Sequence, residues 1–188
     1  LMGHVYEGML DMNSDPTMAD AYFGMHVEHI EMDDLQVRVD AVTEVELAHK
    51  LDEVHALFDL PAPGADPIAG PAKPEDIEWS ARVACGLDHL VADFELSGLA
   101  YYYRGLNDNT YERLGASLIV GSSLLTARGV PVAGELDLKN CLAMLITDNL
   151  EADALCYRTA ALLHDIHPDL TLLHLPPIYV AADVIPHP

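Results

Sequence analysis

Glu135 is the ionisable residue whose position could do chemistry. It follows Gly134 at the end of a short β-prone run, 130–133, and precedes the helix-forming stretch "LDLKNCLAMLITDNL". An acid at a strand-to-helix junction has two readings. It can sit in a first helical turn, where the macrodipole favours negative charge by a few tenths to about 1 kcal/mol. It can also offer a hard oxygen to Mg²⁺ or Mn²⁺ from a position set by the strand end. Residue type and spacing leave both open.

Fewer signals surround the other candidates. His4 stands near the end of the apolar opening run "LMGHVY", and Tyr103 near the carboxyl end of "GLAYYYR". Side chains alternate along a strand, so one or two of Tyr101, Tyr102 and Tyr103 belong to the core, while Tyr103 can reach the strand end. The pairs His26/His29 and His164/His167 have spacings that could serve a metal. No third ligand is evident near either pair and HEXXH is absent, so they read as surface or strand-edge histidines. No GxGxxG follows the first strand and no GxxxxGK[ST] occurs, which disfavours a nucleotide enzyme. Ser122 and Ser123 lack the GxSxG elbow.

The elements that must position these residues follow from periodicity. "LMGHVY" and "HVEHIEM" read as strands, with a helix between them opened by Asp15-Pro16 and closed by Gly24. Helical spacing runs over 34–58, 75–95, 107–129 and 136–150, with strands at 98–104 and 130–133. Residues 61–74 hold five prolines in 14 positions and read as an extended loop. The first 60 residues carry too few strands to close a core alone, so this loop is an excursion within one domain spanning 1–150. The order β-α-β-α-α-β-α-β-α predicts an α/β fold, a doubly wound parallel sheet of flavodoxin or Rossmann type. Ligands of such sheets bind beyond the carboxyl ends of the strands, which gathers His4, Arg104 and Glu135 on one rim.

Composition bounds the partners. In 188 residues, 51% are apolar and 21% charged, which suits a globular domain with a real core. Thirty-one acids against nine bases give a net charge of −22. Phosphate backbones and anionic bilayers both select for Lys and Arg, so neither nucleic acid nor a membrane surface is an expected partner. Three dispersed cysteines with no CxxC read as reduced thiols, and the expected location is the cytoplasm. The longest uncharged run is too short and too rich in Gly and Ser to span a bilayer.

Three pieces together, "GMLDMNSDPTMADAYFGMHVEHIEMDDL", "GLAYYYRG" and "GSSLLTARGVPVAGELDLKNCLAMLI", resemble the L-arabinose isomerase and L-fucose isomerase superfamily, in its arabinose-isomerase-like branch. The resemblance covers residues 1–150 and implies the central α/β domain of a larger, oligomeric protein. It implies interconversion of an aldose and a ketose, with a small sugar such as L-arabinose or L-fucose as substrate and Mn²⁺ or another divalent cation as cofactor. Glu135 matches a metal ligand that is also one of two proton-handling acids. Met9 matches a position lining the sugar pocket, and Tyr103 aligns loosely with an aromatic pocket residue. After "MLITDNL" the pattern departs. A Gly-rich segment with a second glutamate and then a Gly-His segment are expected, but residues 151–188 are rich in Leu, His and Pro, and no glutamate follows Glu151. The expectation is therefore a fragment with a divergent tail, inactive alone. A non-catalytic α/β module that binds a small ligand or a partner is the alternative.

Overall fold

The computed structural model describes residues 1–8, 10–58, 73–105 and 109–149. Met9, most of the proline-rich loop and the tail at 151–188 lie outside the described residues.

Local capping chemistry sets most helix ends. Asp15 accepts from the Thr17 N–H at 2.8 Å and Pro16 takes the first helical position, so α1 runs Pro16–Phe23 and stops at Gly24 with φ 63°. The helix expected over 34–58 is two helices, α2 (Met32–Ala41) and α3 (Glu44–Leu57). Thr43 explains the break. Its hydroxyl accepts from the Glu46 N–H at 3.3 Å while its own N–H donates to the Glu46 carboxylate at 2.8 Å, a reciprocal cap that starts a new helix.

Pro74 opens α4 (Pro74–Asp93), the longest described helix. The stretch 107–129 also divides, into α5 (Thr110–Ala116) and α6 (Ile119–Ala127). Ser117 marks the division: its hydroxyl donates to the Arg113 carbonyl at 2.8 Å and accepts from the Trp79 indole at 2.9 Å. A serine bonding back to its own helix competes with continued helical pairing.

The sheet is short and parallel. β1 (Met2–Gly3), β2 (Leu99–Tyr102) and β3 (Val132–Ala133) lie in the order β1-β2-β3, with Met2 opposite Tyr101 and Leu99 opposite Val132. Gly3 ends β1 at φ 90°, where a side chain would overlap the Tyr102 carbonyl oxygen. The strand expected at 26–32 contributes a single parallel bridge, Ile30 to Met2. Its polar residues explain this, since His29 and Glu31 on either side of Ile30 face solvent and the buried Met32 already opens α2. Little of that segment has apolar surface to gain by pairing.

Period-two alternation sorts the faces. Met2 and Leu99 join Leu35, Val39, Val83, Leu87 and Leu90 in the main core, under a layer in which α4 packs against α2, α3 and α6. Gly121 lets α6 close on α4, because a Cβ there would lie 2.9 Å from the Ala84 Cα. On the opposite face Ala100 and Ala133 pack with Cys141 of α7 (Leu138–Asn149). The chain is thus a mixed α/β fold with a small parallel sheet. Among the described residues no helix is long and apolar enough to cross a membrane.

Candidate functional site

A cavity of about 560 Å³ opens where β2 and β3 end. β2 and the residues after it deliver Tyr101, Tyr102, Tyr103 and Arg104 to its wall, and the loop after β3 delivers Glu135. α5 adds Glu112, and the start of α7 adds Asp137 and Asn140. This size lies in the range of small-molecule sites.

The turn carrying Glu135 is unusual for its residue types. The Asp137 N–H donates to the Gly134 carbonyl at 3.0 Å, and both residues between them, Glu135 and Leu136, have φ 58°. Positive φ at both central positions is the pattern of a primed turn, which favours Gly, Asn and Asp. For other L-residues that backbone costs about 1–2 kcal/mol each. Leu136 recovers its cost, because its side chain is buried and its N–H donates to the Tyr101 carbonyl at 3.0 Å. Glu135 recovers nothing visible. It is half-buried on the cavity, and its carboxylate has no hydrogen-bond or ion-pair partner among the described residues.

The helix cap is a different acid. The Asp137 carboxylate accepts from the N–H groups of Lys139 and Asn140, both at 3.1 Å, and so satisfies the first turn of α7. Glu135 stands two residues before that cap, so capping does not explain it. Burial first, then the charges of Asp137 and Asp11, raise the Glu135 carboxyl above its ordinary range. Asp11 comes from a 3₁₀ turn, Leu10–Met12, whose Asp11 carbonyl accepts from the Lys139 ammonium.

The aromatic residues form a continuous wall. The His4 N–H donates to the Tyr102 carbonyl at 3.0 Å, and the His4 ring meets Tyr102 and Tyr103 edge-on at 5.3 and 5.5 Å. Tyr103 meets Tyr111 at 6.1 Å, and its hydroxyl lies 3.5 Å from the Asn109 side-chain oxygen. Burial raises the phenols of Tyr101 and Tyr102, and at Tyr102 the Arg104 guanidinium opposes that rise.

Of the residues singled out in the sequence, Tyr103, Arg104 and Glu135 share the cavity wall. His4 stands behind Tyr102 and Tyr103, exposed and outside the lining. Met9 and the His164/His167 pair lie outside the described residues. His26 lies 3.0 Å from Glu28, as a surface histidine would. Sequence reasoning passed over Glu112 and Asp137. Asp137 had a legible signal, an acid immediately before helical spacing, but Glu112 is an ordinary helical glutamate until α5 turns it to the strand ends.

A divalent ion needs several converging oxygen or nitrogen donors. Among the described residues no three His, Cys, Asp or Glu side chains converge in that way, so they do not fit Mn²⁺ by themselves. No protein-family model matches the chain, and no curated protein matches it. The functional reading therefore rests on the geometry of the cavity.

Proposed function

We propose that the chain is a doubly wound, flavodoxin-like α/β domain that binds a small sugar at its strand ends, with Glu135 as the carboxyl that handles the proton in an aldose–ketose exchange. The Ile30 bridge supports the fold reading. Ile30 bridges β1 at Met2 in parallel, which is in keeping with a fourth segment beside β1 and a reversal of order there. Ligands of such sheets bind beyond the carboxyl ends of the strands, and the cavity opens at those of β2 and β3.

The observation that carries the functional reading is Glu135 itself. An acid is kept at φ 58°, half-buried, unpaired among the described residues and facing a cavity, where a glycine or asparagine would be less strained. A carboxyl shifted toward neutrality suits a group that takes a proton from one carbon and returns it to the next. Tyrosine rings offer flat apolar surface to the C–H face of a sugar, while Glu112, Asp137 and Asn140 offer acceptors to its hydroxyls. The absence of a converging ligand set among the described residues favours a second reading, a sugar-binding module without turnover.

Calorimetric titration of the chain with L-arabinose and L-fucose tests the proposal. Binding by the wild type and a loss of about tenfold or more in Glu135→Gln, as expected for a hydrogen bond to a charged group, would support it. No binding of either sugar, or of a charged derivative of either, would overturn it. Ketose formation, assayed with and without added Mn²⁺, separates the catalytic reading from the binding module.

A further inference from the structure

Arg104 is the cation of the cavity wall, and its pairing differs from that of the other described arginines. Arg38 pairs with Asp93, Arg82 with Glu44 and Arg128 with Asp88, while Arg113 lies 4.5 Å over the Trp79 ring. Arg104 has no hydrogen bond, ion pair or ring contact among the described residues. In a chain of net charge −22, carboxylates are plentiful. Three of them, Glu112, Glu135 and Asp137, line the same cavity, yet none comes within ion-pair distance of Arg104. The cavity is therefore bipolar, with acceptors toward the α5 and α7 side and an uncommitted planar fork of donors beyond β2.

We infer that the ligand of this cavity is a sugar bearing an oxyanion, a phosphate or a carboxylate, whose anionic group is held by Arg104 while its hydroxyls face the acids. This rests on the sugar-binding reading above and adds the charge of the substrate. The guanidinium fork matches both oxyanions with two parallel N–H···O bonds. Arg104 is exposed, so it meets the anion at the open end of the cavity, and the half-buried Glu135 stays with the uncharged part of the ligand. A neutral sugar would leave the fork in water and gain nothing from it. Inorganic phosphate alone would gain the fork without the acceptors.

The test is calorimetric titration of the full chain with four probes: a neutral pentose, the same pentose carrying a terminal phosphate, the corresponding pentonate and inorganic phosphate. The expected result is that one or both anionic sugars bind at least about tenfold more tightly than the neutral sugar and than inorganic phosphate. Which one does so identifies the oxyanion. Arg104→Gln should erase that preference, while Arg104→Lys should keep part of it. Equal affinity for neutral and anionic sugars, or a preference that survives Arg104→Gln, would overturn the inference and leave the sugar-binding reading standing. Inorganic phosphate binding as well as the sugar phosphate would overturn it too. Failure of all four probes would sink both readings.

Discussion

The helical layer and the strand-end cavity of this chain treat charge in opposite ways. In the layer, Lys50 is buried, yet its ammonium lies 2.5 Å from Glu53 and 2.8 Å from Asp88, and Arg128 reaches the other oxygen of Asp88. Burial opposes that ammonium's charge, but Asp88 and Glu53 hold it above its ordinary range. Thr43 holds Glu46 at a pKa of about 2 through its hydroxyl and N–H. At the cavity, by contrast, Arg104 and Glu135 stand without partners among the described residues, and two consecutive residues sit at φ 58°. Of the three described non-glycine residues at positive φ, two are in this turn, and the third, Glu95, follows α4. Unpartnered charge beside a strained turn is what a binding site leaves behind, because groups reserved for a ligand cannot be satisfied by the fold.

Breaking the layer should produce the largest effect on stability. Leu87 is fully buried in α4 between the sheet and α6, so Leu87→Ala should lower unfolding free energy by about 2–5 kcal/mol in urea titrations. A loss under about 1 kcal/mol would show that this layer is not the packed half of the molecule.

At the cavity the sign should invert. Glu135→Asn places a residue tolerant of positive φ in the turn and should raise stability by about 1 kcal/mol, measured by the same titration. Glu135→Gln keeps the backbone cost and removes only the charge, which separates the two contributions. The folded carboxyl is raised above its ordinary value of 4.5. Its protonated form therefore favours folding below pH 4.5, and that advantage is lost as pH rises through the folded pKa. The gain from Glu135→Gln should accordingly be absent below pH 4.5 and grow above it. A glutamine variant less stable than wild type at neutral pH would show that Glu135 is a structural acid.

The smallest effect belongs to Arg104. With no partner to lose among the described residues, Arg104→Gln should change stability by less than about 0.5 kcal/mol. A larger loss would mean that the fold already uses its guanidinium.

Much of the fold was legible because it depends on short-range chemistry. Asp15-Pro16 and Gly24 bound α1, and the apolar spacing of 75–95 marks α4, since caps and helical periodicity act within a few residues. The breaks at Thr43 and Ser117 were missed because apolar spacing runs on across them. A reciprocal cap in one case and a hydroxyl bonded to a distant indole in the other decide where the helix stops. The strand at 26–32 was overread for a related reason. Pairing needs apolar surface to bury, and Ile30 is flanked by the exposed His29 and Glu31 while Met32 belongs to α2.

Glu135 shows the same division within one residue. Its place after Gly134 at a strand-to-helix junction drew attention to it in the sequence alone, as did the place of Tyr103 and Arg104 at a strand end. The sequence by itself marked α1, α4 and the other helical runs without their internal breaks, the parallel sense of the strands, and the place of Tyr103, Arg104 and Glu135 near strand ends. Only the tertiary structure decided that Asp137 caps α7, that Glu135 is held at positive φ without a partner among the described residues and that Glu112 joins it on the cavity wall. Caps and periodicities are properties of neighbours along the chain. Strain, burial and the lack of a partner are properties of neighbours in space, and those arise only once the sheet and its helices have closed around them.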